Sequence, residues 1–347
     1  MLALPVIPAL LLAVAQQPAA LTIGSAIARA GQSVSGFIEV PAGVDSATRI
    51  PISIVRGTQA GPTLALIAGT HGSEVAPIVA LERVRAALDP ATLRGTVLIV
   101  HVANMPSFLR RTIYYSPVDG KNLNRVYPGK ADGTVSERIA YAITNEIIER
   151  ADYLADIHSG DGNESLRPYS YWSPLGLNAR ADSIAREMAL AWGSDHIVVD
   201  TARPRDVRAS VYTQNTAQLR GKPAITTETG YLGIAADDMV QRNVDGVFRL
   251  LRYFRMLPGT VELVRQPLYF ERTEVLRSPG TGVWHARVER GQSVQKGALI
   301  GVLTDFFGNP QSEIRAPFGG IVLYVVATPA MSQGEPMGMI GEPRLER

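Results

Sequence analysis

The pattern of apolar and polar positions changes twice along the chain. Residues 21–55 contain short alternating stretches separated by Gly and Pro, which predict β-strands. Between residues 63 and 254, continuous apolar runs alternate with segments whose apolar residues recur at helical spacing, the pattern of buried strands and amphipathic helices. From about residue 268 the helical spacing disappears and short strands punctuated by Gly follow. The sequence therefore predicts an α/β region followed by a small all-β unit.

The α/β region predicts alternating strands and helices, and hence an open, mostly parallel sheet flanked by helices. We predict buried strands at residues 63–68, 96–102, 153–157 and 224–227, with His101 inside the second of them. We predict helices at residues 75–88, 137–150, 183–192 and 240–254. The stretch between Asn104 and Ser136 is predicted to contain no helix.

The all-β unit contains two similar halves, at residues 282–297 and 320–338. Each half pairs a strand that contains a Gly with a tight turn. No low-complexity linker separates this unit from the α/β region, so we expect the two to pack together. The predicted boundaries are 1–20 for a leader, 21–265 for the α/β domain and 266–347 for the β domain.

The N-terminus has the pattern of a targeting segment. Residues 2–15 are almost wholly apolar, and Ala13-Val14-Ala15 offers the small-x-small pattern that a signal peptidase requires. The run is shorter than the ~20 apolar residues of a membrane-spanning helix. We therefore predict a signal peptide over residues 1–20, export to the periplasm, and no stable membrane insertion once the leader is removed. Because no Lys or Arg precedes the apolar run, the N-terminal helix of a cytoplasmic protein is the alternative.

Composition limits the chemistry that the chain can perform. The 34 Lys and Arg residues nearly balance the 32 Asp and Glu residues without a basic or acidic run, so no nucleic-acid partner is expected. The chain has no Cys, which excludes a disulfide framework and a thiolate zinc site. Any metal ion must therefore be held by Asp, Glu and the 5 His residues.

Two His and one carboxylate occur where predicted strands end. The motif Gly-Thr-His-Gly-Ser-Glu at residues 69–74 follows a buried strand and precedes a helix, which places His71 and Glu74 where open α/β sheets bind ligands. His158 ends another predicted buried strand. Two His and one carboxylate are a ligand set of catalytic zinc sites that keep a fourth position for water, so we predict one zinc ion per chain. Asp156, two positions earlier on the same strand face, is placed to orient His158.

An amide hydrolase with a metal site also needs a base and a substrate anchor. Glu228, at the end of a further predicted strand, is the candidate base. Asn124 and Arg125 are candidate anchors, because the planar Arg fork suits a carboxylate and Asn adds a directional donor. Arg110 and Arg111 lie in the same stretch of sequence.

Four motifs together resemble the succinylglutamate desuccinylase/aspartoacylase family, a branch of the zinc carboxypeptidase superfamily, over about residues 23–340. They are Gly-Thr-His-Gly-Ser-Glu, Asp-Gly-Lys-Asn-Leu-Asn-Arg-Val-Tyr-Pro-Gly, Asp-Ile-His-Ser-Gly and Thr-Glu-Thr-Gly. The resemblance implies that the zinc ligands are His71, Glu74 and His158. It implies that Glu228 is the general base. It also implies that Asn124 and Arg125 bind the substrate carboxylate and polarise the scissile carbonyl.

The chain also departs from the family pattern. Ser73 stands where the family commonly has Asn or Asp, which alters hydrogen bonding around the ligands. The additional carboxylate-binding Arg of the family has three candidates here, Arg111, Arg110 and Arg167. The resemblance further implies a C-terminal β domain of the barrel-sandwich type. No Lys lies at the tip of its hairpin, so a carrier function is not implied.

The sequence favours a zinc-dependent amide hydrolase that acts on an N-acyl amino acid or a related small amide with a free carboxylate. An exported zinc carboxypeptidase acting on peptides or cell-wall stems is the first alternative, and a non-catalytic exported binding protein is the second. The group of Arg203, Arg205 and Arg208 is predicted to lie in a solvated loop, with a rim that recruits anionic substrates as its alternative.

Overall fold

A computed structural model describes residues 19–345 of the chain. The predicted signal peptide, except for its last two positions, lies outside the described residues. Between residues 19 and 345, no helix has both the length and the apolar character that a bilayer crossing requires.

The described residues form strands and helices in the following order. The strands are β1 (Leu21–Ile23), β2 (Ala26–Ala28), β3 (Gln32–Val40), β4 (Thr48–Arg56), β5 (Gln59–Ala68), β6 (Arg94–Val100), β7 (Tyr153–His158), β8 (Glu164–Leu166), β9 (Tyr169–Trp172), β10 (His196–Val199), β11 (Ala224–Glu228), β12 (Leu268–Arg277), β13 (Gly282–Ala286), β14 (Ser293–Val294), β15 (Leu299–Thr304), β16 (Pro310–Arg315), β17 (Gly320–Val326), β18 (Ala330–Met331) and β19 (Pro336–Leu345). The α-helices are α1 (Val75–Ala87), α2 (Met105–Arg110), α3 (Val135–Ile143), α4 (Ala179–Trp192), α5 (Thr213–Gln218) and α6 (Asp237–Tyr253).

The strands predicted between residues 63 and 254 are present, as are α1, α4 and α6, with ends that differ by a few residues. The helix predicted at 137–150 ends as an α-helix at Ile143 and continues as a π-helical turn at Thr144–Ile148. The prediction of a helix-free stretch after Asn104 is wrong, because α2 and a 3₁₀ turn at Leu123–Arg125 lie there. Six residues are too few for a periodic signal, and α2 begins instead with a side-chain cap, in which Asn104 accepts a hydrogen bond from the backbone N–H of Ser107. His101 follows β6 rather than lying in it.

The central sheet explains why strand ends meet at one place. β6, β5, β7 and β11 are neighbours in that order and run parallel, so their carboxyl ends share one edge. Antiparallel strands continue the sheet on both sides, with β4 and β3 beyond β6, and β9 beyond β11. The apolar side chains of α1, α4 and α6 cover one face and those of α3 the other. The architecture is the mixed, mostly parallel α/β sheet flanked by helices that the sequence predicted.

The all-β unit is continuous with the central sheet. β12 pairs with β10 in parallel and with β19 in antiparallel orientation, and β19 pairs with β17. The sheet of β16, β15, β13 and β18 completes the unit around a separate apolar core. The two predicted halves exchange their short strands, since β14 pairs with β17 and β18 pairs with β13. The two regions therefore pack together as expected, while the position of the boundary at 265/266 stays a prediction.

Candidate active site

The predicted metal ligands and the predicted base lie at the ends of three adjacent parallel strands, along one edge of the sheet. His71 and Glu74 lie in the turn between β5 and α1, and His158 and Glu228 are the last residues of β7 and β11. Glu228 is in register with His158, so the two side chains project from the same face of neighbouring strands. The structure therefore brings together these four residues, which are separated by up to about half the chain length in sequence.

The turn after β5 requires glycine. Gly69 has a φ of 68°, in the left-handed region that glycine adopts without steric cost. A Cβ on Gly72 would overlap the backbone of Ser107 and Phe108 in α2, which passes directly over this turn. The Gly-Thr-His-Gly sequence thus allows the chain to reverse tightly, with His71 facing the same point as Glu74.

The side chains of His71, Glu74 and His158 form a buried group that we call the metal-ligand cluster. The two oxygens of Glu74 lie between the imidazoles, 2.7 Å from His71 Nδ1 and 2.8 Å from His158 Nδ1. One donor atom from each residue lies within 4.8 Å of the others. The contact of Glu74 Oε2 is close but lacks hydrogen-bond alignment, which leaves this buried oxygen able to bind another partner. Two Nδ1 atoms and a carboxylate that converge in this way fit a divalent cation such as zinc.

The other nitrogen of each imidazole is held from outside the cluster. His71 Nε2 lies 3.1 Å from Asn122 Oδ1, and His158 Nε2 lies 3.1 Å from Asp156 Oδ2. Asp156 in turn accepts a hydrogen bond of 3.4 Å from the hydroxyl of Thr70. An N–H donated by His71 Nε2 to Asn122 leaves Nδ1 as the inward ligand atom, the tautomer that a metal needs. Asp156 Oδ2 is close to His158 Nε2 but lacks hydrogen-bond alignment. The contact between Asp156 and His158 is the one that the strand pattern predicted.

The electrostatics of the cluster follow from its composition. Burial alone would lower the pKa of His71, but Glu74 and Asp161 outweigh it and raise this pKa above its usual value. For His158, burial is likewise outweighed by Asp156 and Glu74, and the pKa is well above its usual value. Burial opposes ionisation of Glu74, yet the two imidazoles lower its pKa to about 2. Glu74 is therefore ionised, and a bound cation would replace the protons that it now attracts to the imidazoles.

Glu228 differs from Glu74 in its surroundings. Burial raises the pKa of Glu228 well above its usual value; Glu74, Glu164 and Asp156 raise it further, while His158 opposes them. A carboxyl group with a raised pKa accepts a proton more readily than an ordinary one and can return that proton later, which is the task of a general base.

Asn124 and Arg125 lie beside the cluster in the 3₁₀ turn. Asn124 Nδ2 is 3.4 Å from His158 Nε2, while Asn124 Oδ1 accepts hydrogen bonds of 2.9 and 3.2 Å from the backbone N–H and hydroxyl of Thr213. The guanidinium of Arg125 donates to the Asn124 carbonyl oxygen at 2.7 Å and lies over the ring of Tyr212, 4.7 Å from its centroid. The amide group of Asn124 is thus next to the predicted metal position, and the exposed Arg125 follows it in the chain.

The three other candidate arginines occupy two different parts of the structure. Arg110 and Arg111 are exposed at the end of α2, where Arg111 has a φ of 55°. Arg167 donates to both carboxylate oxygens of Asp195, at 2.9 and 3.2 Å. A substrate-binding role for Arg110, Arg111 and Arg167 stays a prediction.

The structure adds three residues that the sequence analysis missed. Asp161 is buried, with Oδ2 at 3.9 Å from His71 Nδ1, and burial raises its pKa to about 7. Glu164 is buried beside it and accepts a short hydrogen bond from the hydroxyl of Tyr114, whose ring meets that of His71 edge-on at 5.8 Å. Asp161 follows the Asp-Ile-His-Ser-Gly motif directly, which is a usable signal, but Tyr114 has none.

Glu164 also connects the site to the all-β unit. It belongs to β8, which pairs with β17 so that Glu164 is in register with Val326 and Leu166 with Tyr324. Tyr324 is buried between the two regions, with Tyr169 and Phe270 in the same apolar cluster. The all-β unit therefore forms part of the wall behind the metal-ligand cluster.

Comparison with known proteins agrees with this geometry. A family model described as the succinylglutamate desuccinylase/aspartoacylase catalytic domain matches residues 60–254, more than half of the chain. The chain belongs to this family. Its members hydrolyse amide bonds of N-acyl amino acids, so the predicted enzyme class, a hydrolase of C–N bonds, is confirmed.

Individual relatives are distant but nearly complete in coverage. An N-alpha-acetyl-L-2,4-diaminobutyric acid deacetylase from Halomonas elongata is 28% identical over 319 residues, which are 88% of this chain and 91% of the relative. The product-bound structure of the ectoine utilization protein EutE (DoeB) from Ruegeria pomeroyi has a TM-score of 0.80 at 25% identity, covering 92% of this chain and 98% of that one. A succinylglutamate desuccinylase/aspartoacylase structure from Rhodobacter sphaeroides has a TM-score of 0.79 at 23% identity, covering 90% and 96%. These structures confirm the predicted fold.

Proposed function

We propose that this chain is a zinc-dependent deacylase that hydrolyses the amide bond of a small N-acyl amino acid. The main support is the convergence of His71 Nδ1, Glu74 and His158 Nδ1, with Glu228 in register beside His158. This arrangement provides three ligands and a base on adjacent strand ends, which is the minimum that metal-assisted amide hydrolysis requires.

Each residue has a distinct part in the reaction. Zinc, when bound by the cluster, supplies Lewis-acid activation of water and of the amide carbonyl. Glu228 accepts the proton of the attacking water and returns it to the leaving amine. Arg125 stabilises the negative charge that develops on the carbonyl oxygen, and Asn124 donates to the substrate carboxylate.

A small substrate is supported over a peptide. The Halomonas elongata relative is a deacetylase of an N-acetyl amino acid, and it aligns with nearly the whole of this chain. The acyl group to test first is therefore acetyl, followed by succinyl, with short peptides as the comparison.

The first experiment measures metal content. We expect about one zinc ion per chain in the purified protein and none in His71→Ala. His285→Ala is the matched control, because His285 is exposed in the all-β unit and contacts Thr304 rather than the cluster. A protein that binds no metal after reconstitution, or a His71→Ala variant that keeps it, would contradict the metal site.

The second experiment measures hydrolysis. We expect the zinc-loaded protein to release free amino acid from N-acetyl or N-succinyl amino acids faster than it cleaves peptides of similar length. Activity on peptides alone would overturn the deacylase proposal in favour of a carboxypeptidase. Zinc binding without any hydrolysis would favour a binding protein.

We also propose that the chain is exported. The support is the apolar run at residues 2–15, which ends in Ala13-Val14-Ala15. Intact-mass measurement of the protein recovered from the periplasmic fraction should show cleavage close to Gln16. Uncleaved protein that remains with the cytoplasmic fraction would contradict this.

A further inference from the structure

Arg203 does not lie in a solvated loop as the sequence predicted. The segment between β10 and α5 contains three arginines, and Arg208 at its exposed turn has 88% of its side chain accessible. The side chain of Arg203 is only 10% accessible. Since burying a guanidinium is costly unless it has partners, the position of Arg203 needs an explanation that Arg208 does not.

Arg203 and Arg125 share one aromatic ring. The guanidinium carbon of Arg203 is 3.9 Å from the centroid of Tyr212, and that of Arg125 is 4.7 Å from the same centroid. Tyr212 immediately precedes Thr213, which holds the side chain of Asn124. Two cations thus lie around a ring fixed next to the predicted substrate-binding residues, an arrangement that cation–π attraction stabilises.

On its other side Arg203 faces the strand next to the base. Its guanidinium carbon is 5.6 Å from the ring centroid of Tyr171. Tyr171 lies opposite Thr226 in the antiparallel pair of β9 and β11, two positions from the register partner of Glu228. Burial raises the pKa of Tyr171 to about 12, with Glu228 raising it and Arg203 lowering it, so both charges act on the same phenol. Arg203 is therefore on the Glu228 side of the sheet.

The guanidinium of Arg203 retains donors. Asp200 lies at 2.7 Å from Nε, the guanidinium nitrogen nearest the main chain, and partly offsets the charge of Arg203. Within residues 19–345, no hydrogen bond holds the two terminal nitrogens, Nη1 and Nη2. These terminal nitrogens form a planar pair of donors that matches a carboxylate.

The charge of the site explains why a second cation is useful. Buried carboxyl groups surround the predicted metal position, and they would repel an anionic substrate. The buried groups belong to Glu74, Asp156, Asp161 and Glu164, and the half-buried carboxyl group of Glu228 adds to them. Arg125 by itself gives little attraction. It is exposed, and a charge next to water attracts a substrate carboxylate weakly.

We propose that Arg203 is a specificity-determining residue that binds the free carboxylate of the amino-acid half of the substrate together with Asn124. This inference rests on the proposed function, because it names a substrate contact for that reaction. Arg203 selects for acids over the corresponding amides, while the cluster and Glu228 perform the hydrolysis.

The test compares Arg203→Gln with Arg208→Gln, two variants with the same change of charge in the same segment. Each is assayed on an N-acetyl amino acid and on its carboxamide. We expect Arg203→Gln to raise KM for the acid roughly 10- to 100-fold with little change in kcat, since it removes hydrogen bonds to a charged group. We expect its effect on the carboxamide to be small, Arg203→Lys to restore part of the acid preference, and Arg208→Gln to behave as the unmodified protein.

A second measurement keeps folding and catalysis separate. Binding of the free amino acid to the zinc-loaded protein is followed by calorimetry, and the Tm of each variant is recorded. Weaker binding by Arg203→Gln at an unchanged Tm supports the inference even if hydrolysis is slow. If the unmodified protein hydrolyses acid and carboxamide equally well, or if Arg203→Gln affects both equally, the inference is wrong while the proposed deacylase function stands. If the protein neither binds the amino acid nor hydrolyses its N-acyl derivative, both fail.

Discussion

The metal-ligand cluster and the wall beside it are built in two different ways. The cluster and Glu228 stand at the ends of parallel strands, so the register of the sheet sets their spacing. The second region, which we call the loop wall, comes from a 3₁₀ turn, the loop before α5 and the first residue of that helix, and its side chains are held by bonds to backbone groups and by ring contacts. It consists of Asn124, Arg125, Arg203, Tyr212 and Thr213.

This difference predicts a division of function. Side chains on strand ends are held rigidly by the packed sheet, which suits groups that must meet a metal within a fraction of an ångström. Side chains on loops can change between relatives without disturbing the core, which suits substrate selection. Changes in the cluster should therefore affect kcat and metal binding, and changes in the loop wall, apart from Arg125, should affect KM.

The largest effect is expected from Glu228→Gln. The variant keeps the shape of the side chain but cannot accept a proton, so kcat should fall roughly 10²- to 10⁴-fold. Zinc content and KM should change little, because Glu228 is not a member of the cluster. Steady-state kinetics and metal analysis measure both, with the exposed Glu262→Gln as the control. Activity close to that of the unmodified protein would assign the base to another residue.

The next effect is expected from Asp156→Asn. The carboxylate lies 3.1 Å from His158 Nε2, and loss of its charge weakens the orientation of this ligand. Zinc affinity should fall about 10- to 100-fold, as for other residues that hold a metal-ligating His. Chelator competition measures the affinity. Asp152→Asn is a matched control. Asp152 directly precedes the same strand, at the end away from His158, and its carboxylate accepts a hydrogen bond from the backbone N–H of Thr63. An equal effect of both variants would count against the role of Asp156.

The same division explains what the sequence could predict. The buried runs at 63–68, 153–157 and 224–227 became β5, β7 and β11, and a parallel sheet places their carboxyl ends together. His71, Glu74, His158 and Glu228 could therefore be assigned to one site without coordinates. Asp156 could be assigned too, because strand side chains alternate with a period of two.

The loop wall could not be predicted in this way. Helix α5 is fully buried although most of its residues are polar, so it has no amphipathic pattern to detect. The placement of Arg203 depends on the ring of Tyr212, nine residues further on, and no periodicity connects the two. The pairing of Arg167 with Asp195 could not be predicted either, because it depends on where β10 lies in the folded sheet.

A smaller effect is expected from Thr213→Val in the loop wall. The variant keeps the backbone N–H that donates to Asn124 Oδ1 but removes the hydroxyl that donates to the same oxygen. Asn124 Oδ1 then keeps one hydrogen bond instead of two, so KM should rise about 2- to 10-fold, the cost of one neutral hydrogen bond, with kcat nearly constant. Thr213→Ser should restore KM. A fall in kcat without a change in KM would mean that the loop wall acts on the chemical step and would contradict the division proposed here.

The smallest effect is expected from Glu137→Gln, which tests how the loop wall is anchored. Glu137 in α3 accepts a hydrogen bond from the backbone N–H of Thr134 at 2.9 Å. It also contacts Lys121 at 3.1 Å and Lys130 at 3.4 Å, the two ends of the segment that contains Asn124. The hydrogen bond from Thr134, together with Lys121 and Lys130, lowers the pKa of Glu137 to about 2 against the opposing effect of burial.

A folded-state pKa below the ordinary value means that ionised Glu137 stabilises the fold at neutral pH. This stabilisation is lost as the pH falls from about 4.5 towards about 2. Glu137→Gln should therefore lower the free energy of unfolding by about 1 kcal/mol at pH 7, as expected for a helix cap, and by much less at pH 3. Urea titration of the metal-free protein at both pH values measures the difference. Glu146→Gln, which breaks only a surface pair with Arg150, should cost less at pH 7. A destabilisation by Glu137→Gln that is as large at pH 3 as at pH 7 would show that the charge of Glu137 does not anchor the segment.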